Sequence, residues 1–157
     1  MLNNKYNDRK YYAAYDKFRH FPSLDLIETF RQIKEWSRGK ILDVGCGIGY
    51  LTHYLKAAAG VDINSYAIGQ AKRLYPEEKF YCCNAAHMSF DEKFDTVVLH
   101  NILEHTSEKT REDIFDRIEE LLLPDGIVIF AYLNAYNIAH MISLLWWRGG
   151  IRQNSPF

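Results

Sequence analysis

Residues 40–55, KILDVGCGIGYLTHYL, restrict the fold more than any other stretch of the chain. A short apolar run ends in an acid, three alternate glycines follow, and a helical pattern begins at Tyr50. This order reads as a buried strand, a tight turn and a helix that packs back on the strand. Gly45, Gly47 and Gly49 let the chain reverse sharply and bring backbone amides within van der Waals range of a ligand that a Cβ would hold off.

The same alternation recurs downstream. AAGVDIN reads as a second strand, and Ala67, Ile68, Ala71 and Leu74 form a helical face stopped by Pro76. KFYCC and FDTVVLH are strands three and four. Ser107 then caps a helix carrying Ile114, Phe115, Ile118, Leu121 and Leu122, LPDG is a turn, and IVIFAYL is strand five. Upstream, Pro22 and Ser23 open an amphipathic helix with Leu26, Ile27, Phe30 and Ile33 on one face, ending near Gly39. Strands alternating with helices imply a doubly wound α/β fold with a mostly parallel sheet and right-handed crossovers. Ligands bind such sheets beyond the carboxyl ends of the strands, where strand order reverses, and the first strand borders that point. A length of 157 residues with 48% hydrophobic and 15% aromatic content suits one domain with a substantial core.

Composition narrows the partners. The formal charge of −1 balances 19 basic and 20 acidic side chains scattered along the chain, so there is no electrostatic footprint for nucleic acid. No run approaches the roughly 18 apolar residues of a membrane span, and stable membrane insertion is not expected. Cys46, Cys82 and Cys83 are odd in number and lack metal-type spacing, which with the absence of a leader-like N-terminus leads to the expectation of a cytoplasmic protein with reduced thiols.

The glycine loop alone is weak evidence, but its neighbours sharpen it. A dinucleotide fingerprint wants glycine where Tyr50 stands, and Asp43 places a carboxylate where a pyrophosphate would be repelled and an ammonium attracted. Asp62, at the end of strand two, can accept both hydroxyls of a ribose. Beyond strand three, Asn84 offers an amide pair to an adenine edge and Met88 a polarizable contact to its ring. Amine, ribose and adenine together describe S-adenosylmethionine.

Residues 40–133 resemble the class I S-adenosylmethionine-dependent methyltransferases, through LDVGCGIG, the acid of GVDIN, NA with Phe90 six residues on, FDTVVLHNILEH and LLLPDGIVIF in that order. ILEHT and the later LNAYNIAHMISLLWWRGG are similar to the branch that methylates small molecules, quinone precursors among them. The resemblance implies a Rossmann-like core that binds S-adenosylmethionine and releases S-adenosylhomocysteine. It implies cofactor contacts from Asp43, Gly45, Cys46, Gly47 and Gly49, from Asp62 and Ile63, from Asn84, Ala85 and Met88, and from His100. His100 and His105 are the candidate bases, the bland alternatives being a local hydrogen-bonding role for His100 and, for His105, packing against the helix after strand four to fix the loop. No metal is expected, because Asn101 stands where metal-binding relatives carry the first acid of ExxEH.

There are departures as well. Asn84 replaces the family's usual Asp, and only 24 residues follow position 133, too few for the last two strands of the seven-stranded family sheet. The chain is expected to be one domain over 1–157: an N-terminal cap and helix (1–39), the cofactor-binding core (40–133), and an aromatic helix over Tyr136–Trp147 opening an incomplete C-terminal region (134–157). It thus reads as part of a longer protein or a short member of its family. The expected partner is a small-molecule acceptor, with pairing to a second copy of the chain left open. The rival reading is a non-catalytic cofactor-binding or interaction module; a dinucleotide oxidoreductase is disfavoured by Tyr50 and Asp43.

Overall fold

A computed structural model describes residues 24–133 and 142–148, with side chains placed for residues 26–131. The first helix, α1 (Leu24–Trp36), buries Thr29 and Ile33, while Arg31 pairs with Glu28 and Glu35 on its wet face at 2.7 and 3.1 Å. Ile27, expected on the buried face, is turned to solvent. β1 (Ile41–Val44) is buried throughout, as an inner parallel strand must be. α2 (Tyr50–Leu55) begins at Gly49, whose φ of 86° lies in the left-handed region. β2 (Ala59–Asp62) leads to α3 (Ser65–Leu74), where the Asn64 side chain accepts the Ala67 N–H at 3.0 Å.

β3 (Phe80–Cys82) and β4 (Phe94–His100) follow, then α4 (Glu108–Leu121), capped at its start by Ser107 as its sequence requires. β5 (Leu122–Leu133) is longer than expected because its pairing with β4 passes from Leu122 opposite Phe94 to Ile127 opposite Thr96. The LPDG residues therefore bulge from the ladder rather than ending it. Ile142–Arg148 forms β6, antiparallel to β5 with Ile142 opposite Leu133 and Arg148 opposite Ile127. This corrects the helix expected over Tyr136–Trp147, of which residues 136–141 lie outside the described residues. The apolar stretch over residues 144–147 has no period to choose helix over strand, and the open edge of β5 supplies main-chain partners that a helix would leave unpaired.

The strand order is β3-β2-β1-β4-β5-β6, five parallel strands and one reversed at the edge. Sequence order reverses between β1 and β4, so the loop after β1 lies at the switch point. One face of the sheet packs Leu42, Val44, Val97 and Leu99 against Ile114 and Ile118 of α4; the other packs Val98, Ile127 and Ile129 against Ile33, Leu51 and Leu55. No described helix is long and apolar enough to cross a membrane.

Gly49 couples this packing to the turn. A Cβ there would lie 2.6 Å from Phe80 Cζ and 3.2 Å from Ala71 Cβ, in a conformation side chains avoid. Gly49→Ala should destabilise the protein by about 2–5 kcal/mol, from left-handed strain and overpacking together. Urea unfolding measures it, and an unchanged midpoint would contradict the packing described.

Candidate cofactor site

The strand ends at the switch point are tied together by the loop itself. The N–H groups of Gly45 and Cys46 both donate to the Val61 carbonyl, at 2.8 and 2.9 Å, which clamps the turn onto the end of β2. The Gly47 N–H donates to Asp62 Oδ2 and the Asn64 N–H to Asp62 Oδ1, each at 2.8 Å. One carboxylate thus organises both the glycine loop and the start of α3. Gly45, Gly47 and Gly49 have φ of 77°, 55° and 86°, so all three are in the left-handed region that favours glycine. Ile102, beyond β4, closes over the first of them: a Cβ on Gly45 would meet its Cδ1 at 2.9 Å.

Two acids lie beneath this turn. Asp43 is 1% exposed and accepts the Thr52 hydroxyl at 2.6 Å. Burial pushes its carboxyl up to about 7, the Thr52 hydrogen bond opposing and the charge of Asp62 adding to the rise. Burial also raises Asp62, against the N–H groups of Asn64, Gly47 and Ile63 that favour its ionised form. Burial holds both acids toward their neutral form, so a cation beside the turn would favour their ionisation and a phosphate would oppose it further. The Cys46 thiol is held well above its ordinary value by burial and packs with Ile68, Ala71 and Phe80, so what Cys46 presents to the loop is backbone.

The remaining candidates divide. Ile63 follows Asp62 with 41% of its surface exposed, an apolar side chain left open beside the acid. Asn84 is half-buried and caps a short helical turn at Ala85–His87, its Oδ1 accepting the Ala86 N–H at 3.0 Å, while Ala85 is buried. Met88 is a correction: at 1% exposure it belongs to the core with Phe94, Leu99, Ile114 and Ile118, its carbonyl accepting a hydrogen bond from Arg117 Nε. The turn at Ala85–His87 carries it under α4. His100 is half-buried on the α1 side, edge-to-face with Phe30 at 5.6 Å between ring centres. His105 lies in the next turn, Nε2 3.9 Å from Glu104 Oε1. Between them Asn101 is left-handed at φ 53°, its N–H donating to the Ala131 carbonyl at 2.8 Å. Among the described residues no group of three or more His, Cys, Asp or Glu is placed to hold a metal.

Thr52, Asn64 and Ile102 escaped the sequence reading. Thr52 carried a signal, since it falls on the buried face one turn into a helix that begins at the loop; Ile102 carried none, because only the path after β4 brings it over Gly45.

Asp43 gives a pH test. Its native value of about 7 stands above the ordinary 3.8, so the native state holds the proton more tightly than the unfolded chain. Its contribution to stability is therefore fully present below about 3.8 and lost as pH rises through about 7, up to about 4 kcal/mol as a ceiling. Asp43→Asn, which keeps an acceptor for Thr52, should become progressively more stable than the parent between pH 4 and 7 and hold that lead above. Parallel stability curves for the two proteins would contradict this.

Comparison with known proteins identifies the family and the fold. Residues 42–130 match the model of a family described as a methyltransferase domain. A protein of Geobacillus sp. (strain WCH70), whose name gives methyltransferase as a provisional assignment, is 31% identical over 142 residues, covering 81% of this chain and 58% of that one. The ubiquinone biosynthesis O-methyltransferase of Actinobacillus pleuropneumoniae serotype 7 (strain AP76) is 28% identical over 121 residues, 68% of this chain and 50% of the relative. The chain spans about half the length of the curated relatives it matches. Among solved structures, a TehB-like SAM-dependent methyltransferase from Corynebacterium glutamicum superposes with a TM-score of 0.68 at 24% identity, over 85% of this chain and 76% of that one.

Proposed function

The chain belongs to the class I S-adenosylmethionine-dependent methyltransferase family, and on that premise we propose that it transfers a methyl group to a nucleophilic O, N or C atom of a small molecule. The observation that carries the reading is the Asp62 carboxylate, joined to the Gly47 N–H at 2.8 Å beneath a turn of left-handed glycines. When bound, S-adenosylmethionine supplies an electrophilic methyl on a sulfonium, a leaving group that needs no acid.

The chain's own residues bind, orient and exclude water. The glycine turn offers backbone without a Cβ at Gly47, and a cationic donor would favour the ionised form of the acid pair that burial opposes. Asp62 keeps lone pairs for ribose hydroxyls while its N–H partners hold it still. Ile63 provides an apolar wall for the base and Asn84 a polar contact at its edge. Asp43 is buried and bonded to Thr52, so it can act on the amino group through its charge and not by direct contact. On the acceptor side, His100 at the end of β4 is the group we assign to take a proton from an alcohol, with His105 second; a phenol or amine acceptor needs less help. Holding donor and nucleophile in line is worth about 7–11 kcal/mol of barrier. The three free thiols among the described residues fit a reducing, cytoplasmic setting.

Methyl release from labelled S-adenosylmethionine, assayed over panels of alcohols, phenols, amines and activated carbons, tests the proposal. Transfer to one acceptor class, reduced at least about tenfold in His100→Ala when that acceptor is an alcohol, is the expected result. Cofactor binding without transfer to any acceptor would favour the non-catalytic module instead.

A further inference from the structure

Asn84 carries an inference beyond cofactor binding, resting on the reading that the site holds an adenosyl group. The register of β2 and β3 sets Cys82 opposite Asp62, and the Cys83 N–H donates to the Asp62 carbonyl at 3.0 Å. Asn84 follows at once, half-buried, on the same rim as exposed Ile63. It is therefore placed to meet the base of a nucleoside whose ribose Asp62 holds.

The cap determines what Asn84 can offer. Oδ1 accepts the Ala86 N–H at 3.0 Å, and turning the amide over would set its NH2 against that N–H, donor against donor. The atom directed away from the turn is Nδ2, which only donates. A carboxylate in the same cap would keep the Ala86 bond and leave an acceptor free. Adenine presents a donor, its 6-amino group, between ring nitrogens that accept, whereas a 6-oxopurine presents an acceptor at that position. We propose that Asn84 is a specificity-determining residue that relaxes the base subsite, so that the site takes a 6-oxopurine nucleoside thioether as readily as the adenine one. Sites that match a ligand donor with an acceptor reject analogues lacking that donor; this site has exchanged the acceptor for a donor.

Calorimetric titration of the chain and of Asn84→Asp, each with S-adenosylhomocysteine and with S-inosylhomocysteine, tests the inference. Asp caps as well as Asn, so the variant keeps the turn. The ratio of the two dissociation constants also cancels any general effect of the added charge. The expected result is a ratio within about threefold for the parent and a shift of at least about tenfold toward the adenosyl compound in the variant. A ratio that Asn84→Asp leaves unchanged overturns the inference, while the adenosyl compound still binding leaves the cofactor reading intact. Failure of both compounds to bind either protein overturns both.

Discussion

Asp62→Ala should weaken S-adenosylhomocysteine binding by at least about 100-fold. Two hydrogen bonds from ribose hydroxyls to a carboxylate are worth about 1.5–3 kcal/mol each, and about 1.4 kcal/mol is a factor of ten. The substitution also removes the acceptor for the Gly47 and Asn64 N–H groups, so the loop loses its anchor to β2 at the same time. Asp62→Asn separates the two effects: one oxygen remains to accept an N–H, and the charge is gone. Calorimetry on both variants, with unfolding curves to show that each is native, reads the result. Unchanged affinity in Asp62→Ala would remove the ribose assignment.

Gly47→Val should abolish binding while the domain stays folded. Gly47 has a φ of 55°, where a β-branched side chain costs about 1–2 kcal/mol, and it is partly exposed, so the strain stays local. The ligand, by contrast, meets two methyl groups where it needs bare backbone. Gly69→Ala is the control, since a Cβ on that exposed glycine of α3 has nothing within 4 Å. It should bind as the parent does and gain up to about 1 kcal/mol of helix stability. Circular dichroism and titration together check the pair, and retained binding in Gly47→Val would misplace the loop.

How much of this was legible beforehand follows from how local each signal is. The β1–loop–α2 unit was readable because an acid, three alternate glycines and a helical face sit within 16 consecutive residues, 40–55, each with its own conformational demand. Asp62 was readable as the polar residue ending an apolar strand. Met88 was misread because a methionine after a strand end looks the same whether its chain turns outward or under a helix; the Ala85–His87 turn decides that, and it carries Met88 beneath α4. The segment Ile142–Arg148 was misread because ISLLWWR lacks a period, and the choice between helix and strand fell to the open edge of β5, a long-range partner. Thr52 shows in the sequence only as a polar residue on the buried face of its helix; what it is for follows from the burial of Asp43, whose carboxylate accepts its hydroxyl.

The most direct measurement of the central claim is calorimetric titration of the chain with S-adenosylhomocysteine, run beside an identical titration with NAD. Saturable one-to-one binding of the first and none of the second is the predicted result, because a glycine turn beside two buried acids favours the ligand's ammonium group and disfavours a pyrophosphate. Binding of NAD with no binding of S-adenosylhomocysteine would contradict it.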